Sequence, residues 1–470
     1  MTRDVFANTA LADIPKILTL QDRNPHSPTY GCFDRNYWQY KIIDFPSGMA
    51  QEFVYPLALA WALDCPDNPY RNRDAIRGWV VAGIRFAADS AHRDGSCDDY
   101  FPFERAAGAA AFSLLACVES CRLIALRDDK VEAFLRRRAS WLARHRESGH
   151  LSNHEALIAL GLALVGDTLG EEEWWTASDQ RLARALSWQD EEGWFQEYEG
   201  CDPGYLTMTI SALARLHELR PRRDVESALE RAVAFAAEFV HPDGSFGGEY
   251  GSRNTYNYFP HGFELVGRWM PAALAMNDRI LEGLAAGRGA CFADDHIVAH
   301  HCWNYLLAWR DFVADRPSAT APANGRRHFV NAGLVVDRRG DTALFAALNK
   351  GGVFKLFRAG QLIASDTQVS LRLADGRTAV AHMIGANDVE LDEDSIVVRG
   401  AFAWAKQPTM TVMKMVVLRL VMMTMGRFHP DRIRRLLQRL LITGRRSAPF
   451  AFTRRFGWNE GRWVVRDEIT

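Results

Sequence analysis

The sequence predicts two architectures in one chain: an N-terminal (α/α)6 toroid followed by a C-terminal antiparallel β-sandwich. Three observations predict it. Helical segments of two kinds alternate through the first 315 residues, one amphipathic and charged, the other apolar nearly all round. Glycine turns recur in phase, as "RDGS" at 93, "EEGW" at 191 and "PDGS" at 242, the last two 51 residues apart. After "ADRPSATAPANGRR", 314 to 327, the hydrophobic period changes from helical to alternating.

The outer helices are read from "RDAIRGWVVAGIRFAADSA", "VEAFLRRRASWLARH", "ASDQRLARALSWQ" and "VESALERAVAFAAEFV", each with one polar face. The inner helices are read from "SGMAQEFVYPLALAWAL", "FERAAGAAAFSLLACV", "NHEALIALGLALVG", "GYLTMTISALARL", "YFPHGFELVGRWM" and "VAHHCWNYLLAWRDF". A period near 50 with two helices per unit means a helical array. Six inner segments and no polar capping repeat favour a closed ring over an open solenoid. Residues 1–315 form the expected toroid and 316–327 a linker. The remainder, 328–470, reads as short β-branched and aromatic runs broken by "RRGD", "NKGG", "RAGQ" and "ADGR", a stack of hairpins. A helical, basic insertion interrupts it near 410–446.

Composition excludes several classes. Apolar residues are 48% and charged residues 24%, as in ordinary globular proteins. A formal net charge of -2 gives no global field for nucleic acid, and none is expected as a partner. The eight cysteines are scattered, without a CxxC, so neither a disulfide framework nor a zinc site is expected. No cofactor motif is seen, and no metal or cofactor is expected. The first 20 residues lack the layout of a signal peptide, which, with the cysteine usage, predicts a cytoplasmic protein.

In a toroid the turns before the inner helices ring one mouth. Here they are "CFDRNYWQYKIIDFP", "CDDYFPFER", "HLSNHE", "EYEGCDPGY", "GGEYGSRNTYNYFPHGFE" and "ADDHIVAHHCWN". Six polar, aromatic turns in phase describe a concave, hydrogen-bonding rim suited to carbohydrate. The rim offers Trp38 as a stacking platform, and Glu104, Arg105, Glu199, Asp202, Arg253, Asn254, Tyr258, His261 and His301 as substrate-binding groups. Asn153 and His154 stand side by side at the start of an apolar inner helix, and Tyr205 follows one repeat later. A structural reading remains for each: Ser152 or Asn153 as an N-cap, His154 as a satisfied core histidine.

A toroid followed by a sandwich, with "SNHEALIALGL" opening an inner helix, resembles the polysaccharide lyases of the heparinase II/III and oligoalginate lyase type. "EYEGCDPGYLTM" and "KGGVFKLF" strengthen the resemblance, which covers nearly the whole chain in architecture. It implies that Asn153 and His154 neutralise a uronate carboxylate and that Tyr205 is a proton donor or base. Many members carry a His-x-His-x-Asp run in the sandwich. This sequence lacks it and offers there only His328, His382 and His429. The chemistry is coherent on its own terms. The proton α to a uronate carboxylate becomes acidic when donors neutralise that carboxylate, and a tyrosine can then protonate the leaving oxygen, or act as base if cations such as Arg105 and Arg253 depress its pKa.

Two other readings stay open. Rim carboxylates, Asp98, Asp99, Glu104, Glu199, Asp202 and Glu249, would serve a glycoside hydrolase. A glycan-binding protein without catalysis would need only the rim. "QDEEGW" resembles a terpene-cyclase repeat, but it occurs once and no DDxxD is present. Finally, "MTVMKMVVLRLVMMTMG" followed by "RFHPDRIRRLLQRLLITGRR" joins an apolar run to a basic amphipathic helix. That pattern predicts peripheral contact with an anionic membrane, hence a place in envelope or exopolysaccharide metabolism at the inner face. The alternative is a helical hairpin packed on the toroid or at a dimer interface.

Overall fold

The computed structural model describes residues 3–147, 149–198, 200–289, 295–318, 322–405, 409, 411–438 and 446–470. Helices fill the first part: α1 (Asp4–Leu20), α2 (Arg35–Trp38), α3 (Val54–Ala62), α4 (Asp74–Ser90), α5 (Ala107–Leu123), α6 (Asp129–Arg144), α7 (Ser152–Leu169) and α8 (Glu172–Leu186). A ribbon of β1 (Gln196–Glu197) and β2 (Gly200–Cys201) leads into α9 (Pro203–Leu219), α10 (Arg223–Ala237), α11 (His261–Val266), α12 (Pro271–Ala285) and α13 (Asp295–Arg310). Helices α3, α5, α7, α9, α11 and α13 touch in turn, and α13 returns to α3. The ring is closed, with the other long helices outside it. Sequence explains the sorting. Along α5 and α7 nearly every side chain is buried, whereas α6 and α10 bury one stripe and expose the rest.

The recurring turns have a common geometry. Gly95, Gly193 and Gly244 all have φ between 80° and 103°. A Cβ there would lie 2.4–2.5 Å from backbone atoms of Arg137, Arg231 and Arg279 respectively, each on a neighbouring outer helix. Glycine supplies both the left-handed backbone and the close approach. The repeat in the sequence is therefore a repeated seating of one turn on one helix.

The sandwich has two antiparallel sheets. The first is a meander of β3 (Gly325–Phe329), β4 (Leu334–Arg339), β5 (Thr342–Ala347), β6 (Val353–Arg358) and β7 (Gln361–Asp366). The second contains β8 (Ser370–Arg372), β9 (Thr378–Val380), β10 (Asp388–Asp392), β11 (Ser395–Trp404), β12 (Ser447–Asn459) and β13 (Arg462–Ile469), in the order β13-β12-β11-β9-β8 with β10 also on β11. Strand β5 is buried at every position because it is covered on both faces. Phe345 joins the toroid core, while Leu344 and Ala346 join Val398, Phe452 and Phe456 between the sheets. Phe329 packs on Phe235 with ring centroids 4.7 Å apart, and Arg338 pairs with Glu238 at 2.6 Å. The sandwich thus rests on the toroid beside the mouth. Between β11 and β12 the chain forms α14 (Val412–Val421), a π-helical turn, and α15 (Pro430–Gln438).

Candidate active site

The first turn of α7 holds two of the three proposed catalytic residues. Its N-cap position is Leu151, whose side chain makes no cap. Ser152 Oγ donates instead to the carbonyl of Gln196 (2.7 Å) and Asn153 Nδ2 to Glu197 Oε2 (2.9 Å). Asn153 is therefore inside the helix and is not a cap. A bridge between Leu151 and Glu197 fixes the β1–β2 ribbon against this turn. His154, one residue on, faces the other flank. Its Nδ1 lies 2.7 Å from Glu147 Oε2, and its ring packs edge-on to Phe112 of α5. A Cβ on Gly108 would lie 2.5 Å from His154 Cε1, so only glycine at that point of α5 admits the imidazole.

One carboxylate places Tyr205 and Arg253 together. Asp202 caps α9, accepting from the Tyr205 N–H at 3.1 Å, and also accepts from the Arg253 N–H at 2.8 Å and from the Thr255 hydroxyl. The guanidinium of Arg253 then lies over the rings of Tyr198 (4.1 Å) and Tyr205 (5.8 Å). Among the described residues no carboxylate lies within ion-pair distance of Arg253, and its Nε is buried without a partner. From the sandwich, Lys350 Nζ reaches the same loop, donating to the carbonyls of Glu249 and Gly251 (the latter at 2.9 Å) and to the Asn254 side chain.

The electrostatics follow from burial. Glu197 is 4% exposed, and desolvation raises its carboxyl pKa well above the usual range, against the pull of Arg253 and the Asn153 amide. Desolvation likewise pushes the Tyr205 hydroxyl up, with Arg253 opposing. Tyr205 therefore stays protonated at neutral pH. Of the two roles open to it, proton donor fits the site and resting-state base does not. His154, 19% exposed, has its Nδ1 against Glu147 Oε2, and no hydrogen bond of its Nε2 is found among the described residues.

Except for Asp202, the other predicted residues described below are placed apart from this cluster. Trp38 donates its indole N–H to the Leu20 carbonyl (2.8 Å). Glu104 accepts from the backbone of residues 99–101 and shapes its own loop. Arg105 pairs with Asp94 at 3.3 Å. Tyr258 bonds Asn277 inside the core, His261 lies 2.7 Å from Asp311, and His301 stacks on Phe259 with Nε2 toward Asn257. Asp202 is buried and structural in its contacts. Glu199 lies outside the described residues. Glu147, Glu197 and Tyr198 are absent from the residues singled out above. A rim turn with three ionisable groups, "EYE", was a signal, but the partnership of Glu197 with Asn153 required the ribbon register. Between the loops around residues 33–47 and 99–100, Phe33, Tyr40, Phe45, Phe53 and Tyr100 line a cavity of about 490 Å³ that shares no residue with the cluster.

Fold and site together define a toroid-and-sandwich protein with a cluster of polar and ionisable side chains where α7, the β1–β2 ribbon and α9 meet. No protein-family model matches the chain, and no curated protein matches it. Among solved structures it is similar to the chondroitin AC lyase of Streptomyces coelicolor A3 in complex with chondroitin sulphate, with a TM-score of 0.55 and 13% identity over 86% of this chain and 67% of that one. A tyrosine-to-alanine mutant of the same enzyme gives 0.51, with the same identity and coverage. Cellobiose 2-epimerase from Bacillus thermoamylovorans B4167 gives 0.48 at 10% identity, over 64% of this chain and 98% of that one. At such identities the likeness is one of fold.

Proposed function

We propose that the protein is a polysaccharide-active enzyme, related in architecture to the heparinase II/III type, that cleaves a uronate-containing glycan by β-elimination. The observation that carries this is Arg253: a largely buried cation, without a carboxylate partner among the described residues, laid across Tyr205 beside Glu197 and Asn153. Such a cation suits a substrate carboxylate. With that carboxylate held by Arg253 and the second N–H of Asn153, His154 Nε2 takes the α-proton. The C–O bond at the β carbon breaks as the double bond forms, and the Tyr205 hydroxyl protonates the departing oxygen. The toroid-and-sandwich fold shared with a chondroitin lyase supports the reading.

A specific observation favours hydrolysis as the second reading: Glu197 is a carboxyl of raised pKa, the property of a general acid, with the Glu147 carboxyl close enough to raise it further. Incubation with a panel of uronic-acid polysaccharides separates the readings. Elimination gives the ultraviolet absorbance of a 4,5-unsaturated uronide. New reducing ends without that absorbance mean hydrolysis, and tight binding without either means a binder.

A further inference from the structure

The segment 411–438 leaves the sandwich after Trp404 and returns at Ser447, yet the sheet does not need the detour, because β11 and β12 pair directly with Ala403 opposite Ser447. What the detour presents is apolar surface. Helix α14 buries none of its side chains. Val412 is 80% exposed, Leu420 58%, and Phe428 just beyond it 75%. Contiguous exposed surface of this kind marks an interaction site. Two cationic tethers hold the insertion to the toroid: Arg419 pairs with Asp44, and the Arg427 guanidinium lies 5.2 Å over the Phe103 ring. Both land on rim loops. Asp44 stands between Ile43 and Phe45, which line the cavity of about 490 Å³ at the mouth.

Charge selects the occupant. Residues 411–438 contain six basic side chains and one acidic one. A second copy would oppose like charges, and a neutral apolar groove would leave the net positive charge of the segment, Arg432 exposed on α15 among it, unbalanced. An anionic lipid surface supplies hydrocarbon for Val, Leu and Met and phosphate for Arg. Five of the segment's residues are Met, whose flexible thioethers suit a fluid partner. Helix α14 and the π-helical turn that continues it, Val412–Gly426, span about 22 Å, short of a hydrocarbon core of about 30 Å. Among the described residues no helix is long and apolar enough to cross a membrane. The insertion therefore lies in the interface.

We infer that the 411–438 insertion docks the protein on an anionic phospholipid surface, with the toroid mouth turned toward it. The glycan presented there is then one carried at the membrane; that last step rests on the function proposed above, and the docking does not. The test is co-sedimentation of the full-length protein with vesicles of phosphatidylglycerol and phosphatidylcholine, and with phosphatidylcholine alone. Binding is expected to the first only, weakened by salt. Val416→Asp with Leu420→Asp should reduce it by more than about tenfold. Arg432→Gln should reduce it by roughly fivefold. Val416, Leu420 and Arg432 are exposed, so thermal midpoints should not move. Failure of the wild-type protein to bind anionic vesicles at low salt overturns the inference. So does equal binding to both vesicle types, or a dimer in light scattering that Val416→Asp abolishes. Vesicle binding without cleavage of any glycan leaves the docking standing and removes the proposed function.

Discussion

Asn153 donates to Glu197 from inside α7, and that placement decides what its loss should do. A lost cap would cost about 0.5–2 kcal/mol of stability and leave turnover alone. Asn153→Ala should instead reduce turnover far more than it lowers the melting temperature, a comparison made by thermal denaturation beside initial rates. Tyr205→Phe should lower kcat by ~10²–10⁴-fold, the worth of a general acid, while circular dichroism stays unchanged. Glu197 offers a pH test. Its raised pKa means that the folded state keeps a proton the unfolded chain releases. The stability this contributes is present in acid and is lost as pH rises through the raised value. Glu197→Gln, which keeps the acceptor for Asn153, should flatten that alkaline loss in melting curves and still impair turnover.

At the scale of the element, Gly108 and Lys350 act through others. Gly108→Ala places a methyl against His154, and the imidazole must move. Activity should fall by about 10²-fold, the cost of a misplaced group, with stability lowered much less. Lys350 ties a strand end of the sandwich to the loop that carries Arg253. Burial pulls its ammonium down to about 8, from about 10.4 in an unfolded chain. Between those values the unfolded chain binds the proton and the folded one does not, so this group's contribution to stability increases with pH across that window. The loop clamp weakens over the same window. Turnover should therefore fall above pH 8 without a matching fall in melting temperature, and Lys350→Met should remove that alkaline limb. The helices and turns behind these effects were legible, because period and glycine phase are local signals. The partner of His154 was not. Glu147 is seven residues away through an irregular loop, and no periodicity reports that contact. The resemblance drew attention to Tyr205; Asp202, chosen as a sugar ligand, turns out to be the knot that orients it.

For the whole molecule, the first sheet of the sandwich completes the toroid core. Phe345→Ala removes a fully buried ring that contacts His241 at 4.8 Å, and should cost about 3–5 kcal/mol. Because that ring belongs to the shared core, calorimetry should show one transition rather than a separate loss of the sandwich. The order of toroid then sandwich was readable from the change of period, although β3 already begins at Gly325, inside the expected 316–327 linker, and the closed ring from six inner segments. How sandwich and toroid meet was not, since strand β5 reads as a plain apolar run whichever surface covers it.

Ring closure has a consequence for synthesis. Helix α1 does not pair with α3 alone; it lies against α13, with Phe6 on Tyr305, Cys302 Sγ donating to the Ala10 carbonyl, and the Trp309 indole donating to Asp4. Helix α1 therefore waits for α13, the last helix of the ring. At ~5–20 residues per second, close to 300 intervening residues delay that partner by roughly 15–60 s. During that interval Phe6, Ile14 and Ile17, fully buried in the finished ring, lack the cover that α13 gives them. A ribosome-stalled chain ending before residue 295 should thus keep α1 open to chaperones and proteases, and release past residue 310 should protect it.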